Sequence, residues 1–281
     1  MKRMQSPSSI NTYFQCPRKY YYNYQLKLPT QPSIHLIRGS VAHSVLENIF
    51  KLPPDAILAD YQTNLQIITL ELLKKFWDEE KTEFDKLDLS ESVLNEYYKE
   101  TQLMLINWLN QFINKLDNLI AKGKTFVEAF NSLKPETEIE YRSEELMVRG
   151  FIDAIEKDDN KIRLMDYKTS KRAEINDAYR LQLAIYAMLY EEKHDVRPDR
   201  VGIYFLRESE QLLNVDDELI DHAKFMVEQI HMSTDGVEDI SQYPKKESPL
   251  CRYSTGQCDF YDYCFNGKKA PEANKSGKNE G

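Results

Sequence analysis

The sequence predicts an α/β fold in which a mixed sheet is flanked by helices. Long stretches of 3.6-residue apolar periodicity fill the first 120 residues, and after Gly123 the pattern changes to short strand-like runs. Those runs follow the order strand, strand, strand, helix, strand, which describes a sheet covered by helices rather than a bundle or a sandwich. The length of 281 residues and 33.1 kDa, with 41% hydrophobic residues, is enough to bury a substantial core.

Taken in order, Ser8 or Ser9 caps a first helix that runs through Tyr13 and Phe14 and ends near Leu28-Pro29-Thr30-Gln31-Pro32. A second helix opens at Gly39, passes through His43 and Glu47, and is ended by Pro53-Pro54. Across residues 55–120, Leu65, Ile68, Leu72 and Phe76 mark one apolar face. Leu103, Ile106, Leu109, Phe112, Ile113 and Leu116 mark another, so two or three amphipathic helices should form a wall of the core. Strands are expected at 137–142, 146–155, 161–167 and 201–206, with a helix from Asp177 through Tyr190 before the last of them. Residues 216–232 return to helix. A cysteine-bearing segment closes the folded part, and the stretch from Gly267 is expected to be a disordered tail.

The net charge of −9 argues against a nucleic-acid partner until its distribution is considered. Residues 76–100 hold nine acidic and three basic side chains, whereas the first 46 residues carry Lys2, Arg3, Arg18, Lys19, Lys27 and Arg38 and no acid. A basic stretch of this kind attracts a phosphate backbone even on an acidic molecule. Tyr13, Phe14, Tyr20, Tyr21, Tyr22 and Tyr24 lie among these charges; most should pack in the core, leaving one or two to stack on bases. No window approaches 18 uninterrupted apolar residues, and no apolar segment follows Met1-Lys2-Arg3. Neither a membrane span nor a signal peptide is therefore expected, which points to the cytoplasm.

Chemistry concentrates at Asp153 and Asp166-Tyr167-Lys168, on two apolar runs joined by the turn residues Asp158-Asp159-Asn160. Alternation along a strand sends Asp166 and Lys168 to one face and Tyr167 to the other. If the two strands are adjacent, Asp153 meets Asp166 across the ladder. Paired carboxylates repel unless a cation lies between them, and Mg²⁺ is the usual one beside phosphate. With Lys168 at hand, the set points to metal-assisted phosphodiester hydrolysis, its rival being a polar hairpin edge with solvated charges. Gln182 and Tyr186 share a helical face four residues apart, as do His43 and Glu47. A pair of that kind is commonplace, and an isolated histidine is more often structural than a ligand.

Cys16, Cys251, Cys258 and Cys264 are the four cysteines, the last three spaced C-x6-C-x5-C. In a cytoplasmic chain metal binding competes with disulfide formation. Four thiolates suit tetrahedral Zn²⁺ or a [4Fe–4S] cluster, and inert buried thiols are the alternative.

Together these motifs resemble the PD-(D/E)XK nuclease superfamily, in particular its RecB-type exonuclease branch with the CRISPR-associated exonucleases and the AddB nuclease domain. The residues that carry the resemblance are Ser6 to Tyr22, Gly39 to Leu46, Gly150-Phe151-Ile152-Asp153, Asp166-Tyr167-Lys168-Thr169 and Gln182 to Ala187. The resemblance implies a restriction-endonuclease-like fold, with residues 1–266 as a single nuclease domain. Within it, 51–122 is a helical insertion and 245–266 a cluster-binding segment, and 267–281 is the tail. It further implies a divalent-metal-dependent DNA exonuclease acting on a free DNA end, in recombination, repair or phage DNA metabolism, with a recombination or adaptation protein as partner. The alternatives are a structure-selective endonuclease and a non-catalytic DNA-binding subunit of such a complex. By the same resemblance His43, Asp153, Asp166 and the Tyr167 carbonyl would bind Mg²⁺ or Mn²⁺, and Lys168 would orient or help deprotonate the nucleophile. Gln182 and Tyr186 would hold the scissile strand or order the site, and Glu140 would be a water-mediated ligand. Arg18, Lys19, Arg149 and Arg180 would contact the DNA backbone. Cys16, Cys251, Cys258 and Cys264 would hold a [4Fe–4S] cluster, with structural Zn²⁺ the alternative. The relatives space the last three cysteines as C-x2-C-x5-C, so the first gap here is longer.

Overall fold

The computed structural model describes residues 2–158, 161–253 and 256–271. Its helices, in chain order, are α1 (Pro7–Gln15), α2 (Pro17–Tyr20), α3 (Ile34–Ile49), α4 (Tyr61–Glu79), α5 (Lys81–Phe84), α6 (Glu91–Ala121), α7 (Phe126–Leu133), α8 (Asp177–His194), α9 (Asp217–Thr234) and α10 (Tyr261–Phe265). The strands are β1 (Glu136–Ser143), β2 (Val148–Asp158), β3 (Lys161–Lys168), β4 (Arg200–Phe205), β5 (Glu210–Asn214), β6 (Arg252–Tyr253) and β7 (Gly256–Gln257). The α/β architecture is as the sequence predicts: β1 to β5 form one sheet in sequential order. It is mixed, because β2 pairs antiparallel with β3, β3 parallel with β4 and β4 antiparallel with β5. A parallel β3–β4 pair needs a crossover, and α8 supplies it. Of the expected turn at Asp158-Asp159-Asn160, residues 159–160 lie outside the described residues, as do 272–281 of the expected tail; residues 267–271 form no helix or strand.

Two compact units divide the chain. One comprises Pro32–Tyr141 and Gly150–Asp221. Its core joins Val41, Val45 and Ile49 of α3 to Leu105, Trp108, Leu109 and Phe112 of α6, and to Met165, Tyr167 and Tyr204 of the sheet. The alternation of β3 thus buries Met165 and Tyr167 in that core, leaving Asp166 and Lys168 for the other side. The other unit comprises Met1–Gln31, Arg142–Arg149 and His222–Gly281. There the aromatic residues near the N-terminus pack on one another: Tyr20 and Tyr21 meet Tyr243, and Tyr22 meets Phe260.

Several boundaries differ from expectation. Helix α1 is capped by Ser6, which forms a capping box with Ser9, and Pro7 occupies its first turn, so Ser8 and Ser9 lie inside it. It ends at Gln15 instead of running to residue 28, because Pro17 disfavours helical geometry at Cys16, whose φ of −161° and ψ of 107° are extended. Helix α7 falls where strands alone were expected. Thr125 and Glu128 form its capping box, a T-x-x-E signal visible in the sequence. The five-residue edge strand β5 is a further element beyond those expected.

Gly202 in β4 is required by close approach. A Cβ there would lie 2.5 Å from the Gln211 carbonyl oxygen and 2.5 Å from Leu212 Cδ2 on β5. Gly202→Ala is expected to destabilise the protein by about 1–3 kcal/mol, the range for overpacking. Thermal unfolding measures this, and an unchanged midpoint would refute the packing constraint.

Candidate active site

Asp153 comes from β2, Asp166 and Lys168 from the end of β3, Gln182 and Tyr186 from α8, and His43 from α3. The β2–β3 register pairs Ala154 with Met165 and proceeds to Asp158 with Lys161. One step beyond, it is the Asp153 side chain that takes the Tyr167 N–H, at 2.7 Å. Asp153 is thereby fixed against β3, close enough for its charge to act on Asp166.

His43 reaches the same place from α3. Its Nε2 is 2.8 Å from the Tyr167 carbonyl oxygen, while Nδ1 is 3.4 Å from Asp153 and 3.7 Å from Glu138. His43, Glu138 and Asp153 are the group able to hold a metal ion among the described residues, with ligand atoms within 4.8 Å of one another. Asp166 falls outside that radius, and so does Glu140. Glu138 was missed by the sequence reading because alternation along β1 makes Glu138 and Glu140 equivalent choices. The structure breaks the equivalence: Glu138 has a φ of 51°, a left-handed conformation that costs a non-glycine residue roughly 1–2 kcal/mol. A kink of this kind re-aims a side chain, and such outliers cluster at functional sites.

Asp166 is 2% exposed. Gln182 Nε2 donates to its Oδ1 at 2.8 Å and lies 2.6 Å from the Tyr186 hydroxyl oxygen, so one amide joins the carboxylate to the phenol. Lys168 Nζ is 2.6 Å from Asp166 Oδ2, yet no aligned hydrogen bond reaches that buried oxygen. Tyr186 in turn needs Gly150, because a Cβ at that position would lie 2.8 Å from its ring. The glycine that opens the Gly150-Phe151-Ile152-Asp153 motif therefore makes room for the residue behind the site.

Burial alone would depress His43, but the adjacent carboxylates of Asp153 and Glu138, with the Asp166 charge, push its pKa up to about 10. Burial, aided by Asp153, raises Asp166 against the opposing pull of Lys168. Burial also works against the charged form of Lys168, and Asp166 outweighs it, so Lys168 is held as an ammonium ion. A buried, acid-rich centre with a carboxylate oxygen lacking an aligned donor suits a hard divalent cation, whose oxygen and imidazole donors are all present.

The group opens into a cleft of about 620 Å³, lined among others by His43, Glu138, Lys168 and Thr169, with the exposed side chains of Leu36 and Phe151 at its edge. A charged network supports the wall behind Lys168. Arg38, buried in α3, donates to the Thr169 carbonyl at 3.1 Å and to Glu100 of α6 at 3.0 Å, and Arg207 meets the same carboxylate at 2.7 Å. The Leu206 N–H donates to the Lys168 carbonyl, and Asn107 of α6 donates to the carbonyls of Leu206 and Glu208.

In the other unit Cys16, Cys251, Cys258 and Cys264 all line one cavity of about 30 Å³, and none forms a disulfide. Burial raises the thiol pKa of Cys258 and of Cys264, the latter up to about 11, and the charge of Cys16 adds to both. Mutually repelling thiolates fit a bound cation or cluster. Arg18 directs its Nε to the Tyr243 carbonyl and Lys19 lines the cysteine cavity, whereas Arg180, in the unit that carries Asp153, is 3.6 Å from Glu218.

A family model for the PD-(D/E)XK nuclease superfamily matches residues 5–265. Among solved structures, the chain resembles a "putative exonuclease" from Eubacterium rectale, with 13% identity and a TM-score of 0.50. The likeness covers 96% of this chain and 90% of that one, and at such identity it shows the fold. No curated protein matches the chain. No helix among the described residues is long and apolar enough to cross a membrane.

The raised pKa of His43 has a direct test. In metal-free protein its imidazole resonances are expected to stay in the protonated position as pH rises through the usual range of histidine titration, near 6.5. Asp153→Asn should bring the midpoint down by at least about one unit. The stability supplied by the charged ring is fully present below pH about 6.5 and is lost as pH rises through about 10. Titration of His43 at its ordinary value would contradict the assignment.

Proposed function

The chain belongs to the PD-(D/E)XK nuclease superfamily, and on that footing we propose that it is a divalent-metal-dependent deoxyribonuclease that degrades DNA from a free end. The observation that carries this reading is the convergence of His43, Glu138 and Asp153 beside the Asp166–Lys168 pair, with His43, Glu138 and Lys168 lining one cleft. His43, Glu138, Asp153, Asp166 and the Tyr167 carbonyl are the groups that would hold Mg²⁺ or Mn²⁺. Bound there, the metal would lower the pKa of a water and stabilise negative charge on the phosphate.

Lys168 acts as a cation. Its preference for the ammonium form favours orienting the nucleophile and offsetting charge on the phosphate over accepting a proton. Gln182 orients Asp166 and is itself braced by Tyr186, so both order the site. The imidazole must be neutral to ligate, so metal binding to the His43 form present near neutrality releases a proton. Preference for a DNA end draws support from the Eubacterium rectale relative named above, and the restriction-endonuclease-like fold from the sheet itself. Residues 1–266 are read as one nuclease domain, with 51–122 inserted, acting in the cytoplasm in DNA recombination, repair or phage DNA metabolism. Cys16 with Cys251, Cys258 and Cys264 would hold a [4Fe–4S] cluster that ties 245–266 to the segment between α1 and α2.

With Mg²⁺ or Mn²⁺ the protein is expected to release label from end-labelled linear DNA and to leave closed circular DNA intact; cutting of the circle would favour an endonuclease. Lys168→Ala should bind DNA and lose at least about 100-fold in rate, the usual scale for a group that stabilises developing charge. A wild-type rate in that variant would sink its role. Anaerobically purified protein should be brown and hold about four iron atoms, the content of one such cluster. Colourless protein with stoichiometric zinc would end the iron–sulfur proposal.

A further inference from the structure

Across the sheet from Asp166 and Lys168, the core side holds a second cavity, of about 300 Å³. That volume is at the lower end of the range that encloses small molecules. Phe50, Trp108, Phe112, Tyr167 and Tyr204 are among its lining residues. Their rings already contact one another: Trp108 stacks on Phe112 at 5.4 Å and meets Tyr167 edge-on at 6.4 Å.

One buried polar group of this lining lacks a partner. Tyr204 lines the cavity, is 5% exposed, and its hydroxyl has no hydrogen bond. Glu210, opposite Tyr204 in the β4–β5 ladder, lies outside the lining and is ion-paired, with Arg163 3.5 Å from its Oε1 and Lys115 3.8 Å from its Oε2. A buried hydroxyl left unpaired costs about 1–3 kcal/mol, so such groups normally meet a partner. The Tyr204 hydroxyl can both donate and accept, so it can meet either kind of group on the edge of a nucleobase. The more exposed lining residues, Lys115, Asn118, Ser132 and Lys157, mark the open side, and two of the four are lysines.

We propose that this cavity is a binding site for a nucleoside monophosphate, with the base among the aromatic rings against Tyr204 and the phosphate at the Lys115 and Lys157 rim. The aromatic walls supply stacking, the unpaired Tyr204 hydroxyl meets the base edge, and Lys115 and Lys157, now beside Glu210 and Glu136, would turn to the phosphate. Tyr167 connects the site to the cleft on the opposite side, since its ring lines this cavity while its backbone meets Asp153 and His43. The assignment stands on the cavity and is independent of the nuclease reading.

The test is calorimetric titration of the full chain with dAMP, dGMP, dCMP and TMP in EDTA, which keeps metal from drawing nucleotide into the cleft. At least one nucleotide is expected to bind with a Kd below about 1 mM, more tightly than its nucleoside or inorganic phosphate. Tyr204→Phe should weaken it about fivefold, the worth of one hydrogen bond. Asn118→Trp, on the exposed rim, should abolish it, and Ser40→Trp, which fills the cleft instead, should leave it unchanged. Absence of binding by all four nucleotides overturns the proposal. So does wild-type affinity in Asn118→Trp, or phosphate alone binding as tightly as the nucleotide.

Discussion

Asp153, Asp166 and Glu138 crowd negative charge into a partly buried pocket, where Coulomb repulsion is far less screened than in water. Two cations answer it: His43, held between Asp153 and Glu138, and Lys168, held against Asp166. Much of the surrounding structure follows from keeping those five groups in register. Helix α3 is fixed where His43 can reach the Tyr167 carbonyl, β1 is kinked at Glu138, and α8 is placed so that Gln182 can orient Asp166. The same balance suits the site to a divalent ion, because a metal could replace the positive charge of His43 with a larger one while the carboxylates stay in place.

Burial and charge act on these side chains in opposite directions, and their relative sizes decide the outcome. For His43, two adjacent carboxylates overcome desolvation. For Asp166, desolvation outweighs the lysine, so the carboxylate is held less firmly in its charged form than it would be in water. One apolar sheet surface thus supports a set of groups whose protonation preferences are driven apart, the condition under which acids and bases take distinct roles. Tyr167 is central to this division: its ring belongs to the core, whereas its N–H and carbonyl meet Asp153 and His43.

The central part of the fold was legible because β2, β3 and α8 show clean periodicity and their polar residues interrupt it at fixed places. Asp153, Asp166 and Lys168 could be named from that pattern, whereas the Gln182–Tyr186 pair, commonplace by its spacing, took a role only from the family resemblance. Glu138 could not, since its selection depends on a left-handed residue within β1 that no alternation rule anticipates. Helix α7 carries a local signal, its Thr125–Glu128 capping box, but at eight residues it spans little more than two turns, and β5 with five residues shows too little alternation to mark a strand. The partnership of Arg38, Glu100 and Arg207 was equally hidden, because ion pairs between residues far apart in sequence leave no local trace.

That partnership changes the standing of the acidic helical region, which bears no motif of its own. Glu100 and Asn107 of α6 grip the turn after β4, whose Leu206 N–H in turn holds the Lys168 carbonyl. Helix α6 is therefore part of the mould in which the lysine is set. A chain with a shorter or differently angled insertion would inherit the same charged residues and yet present its ammonium group elsewhere, so sequence drift in this region is limited by a side chain it never touches.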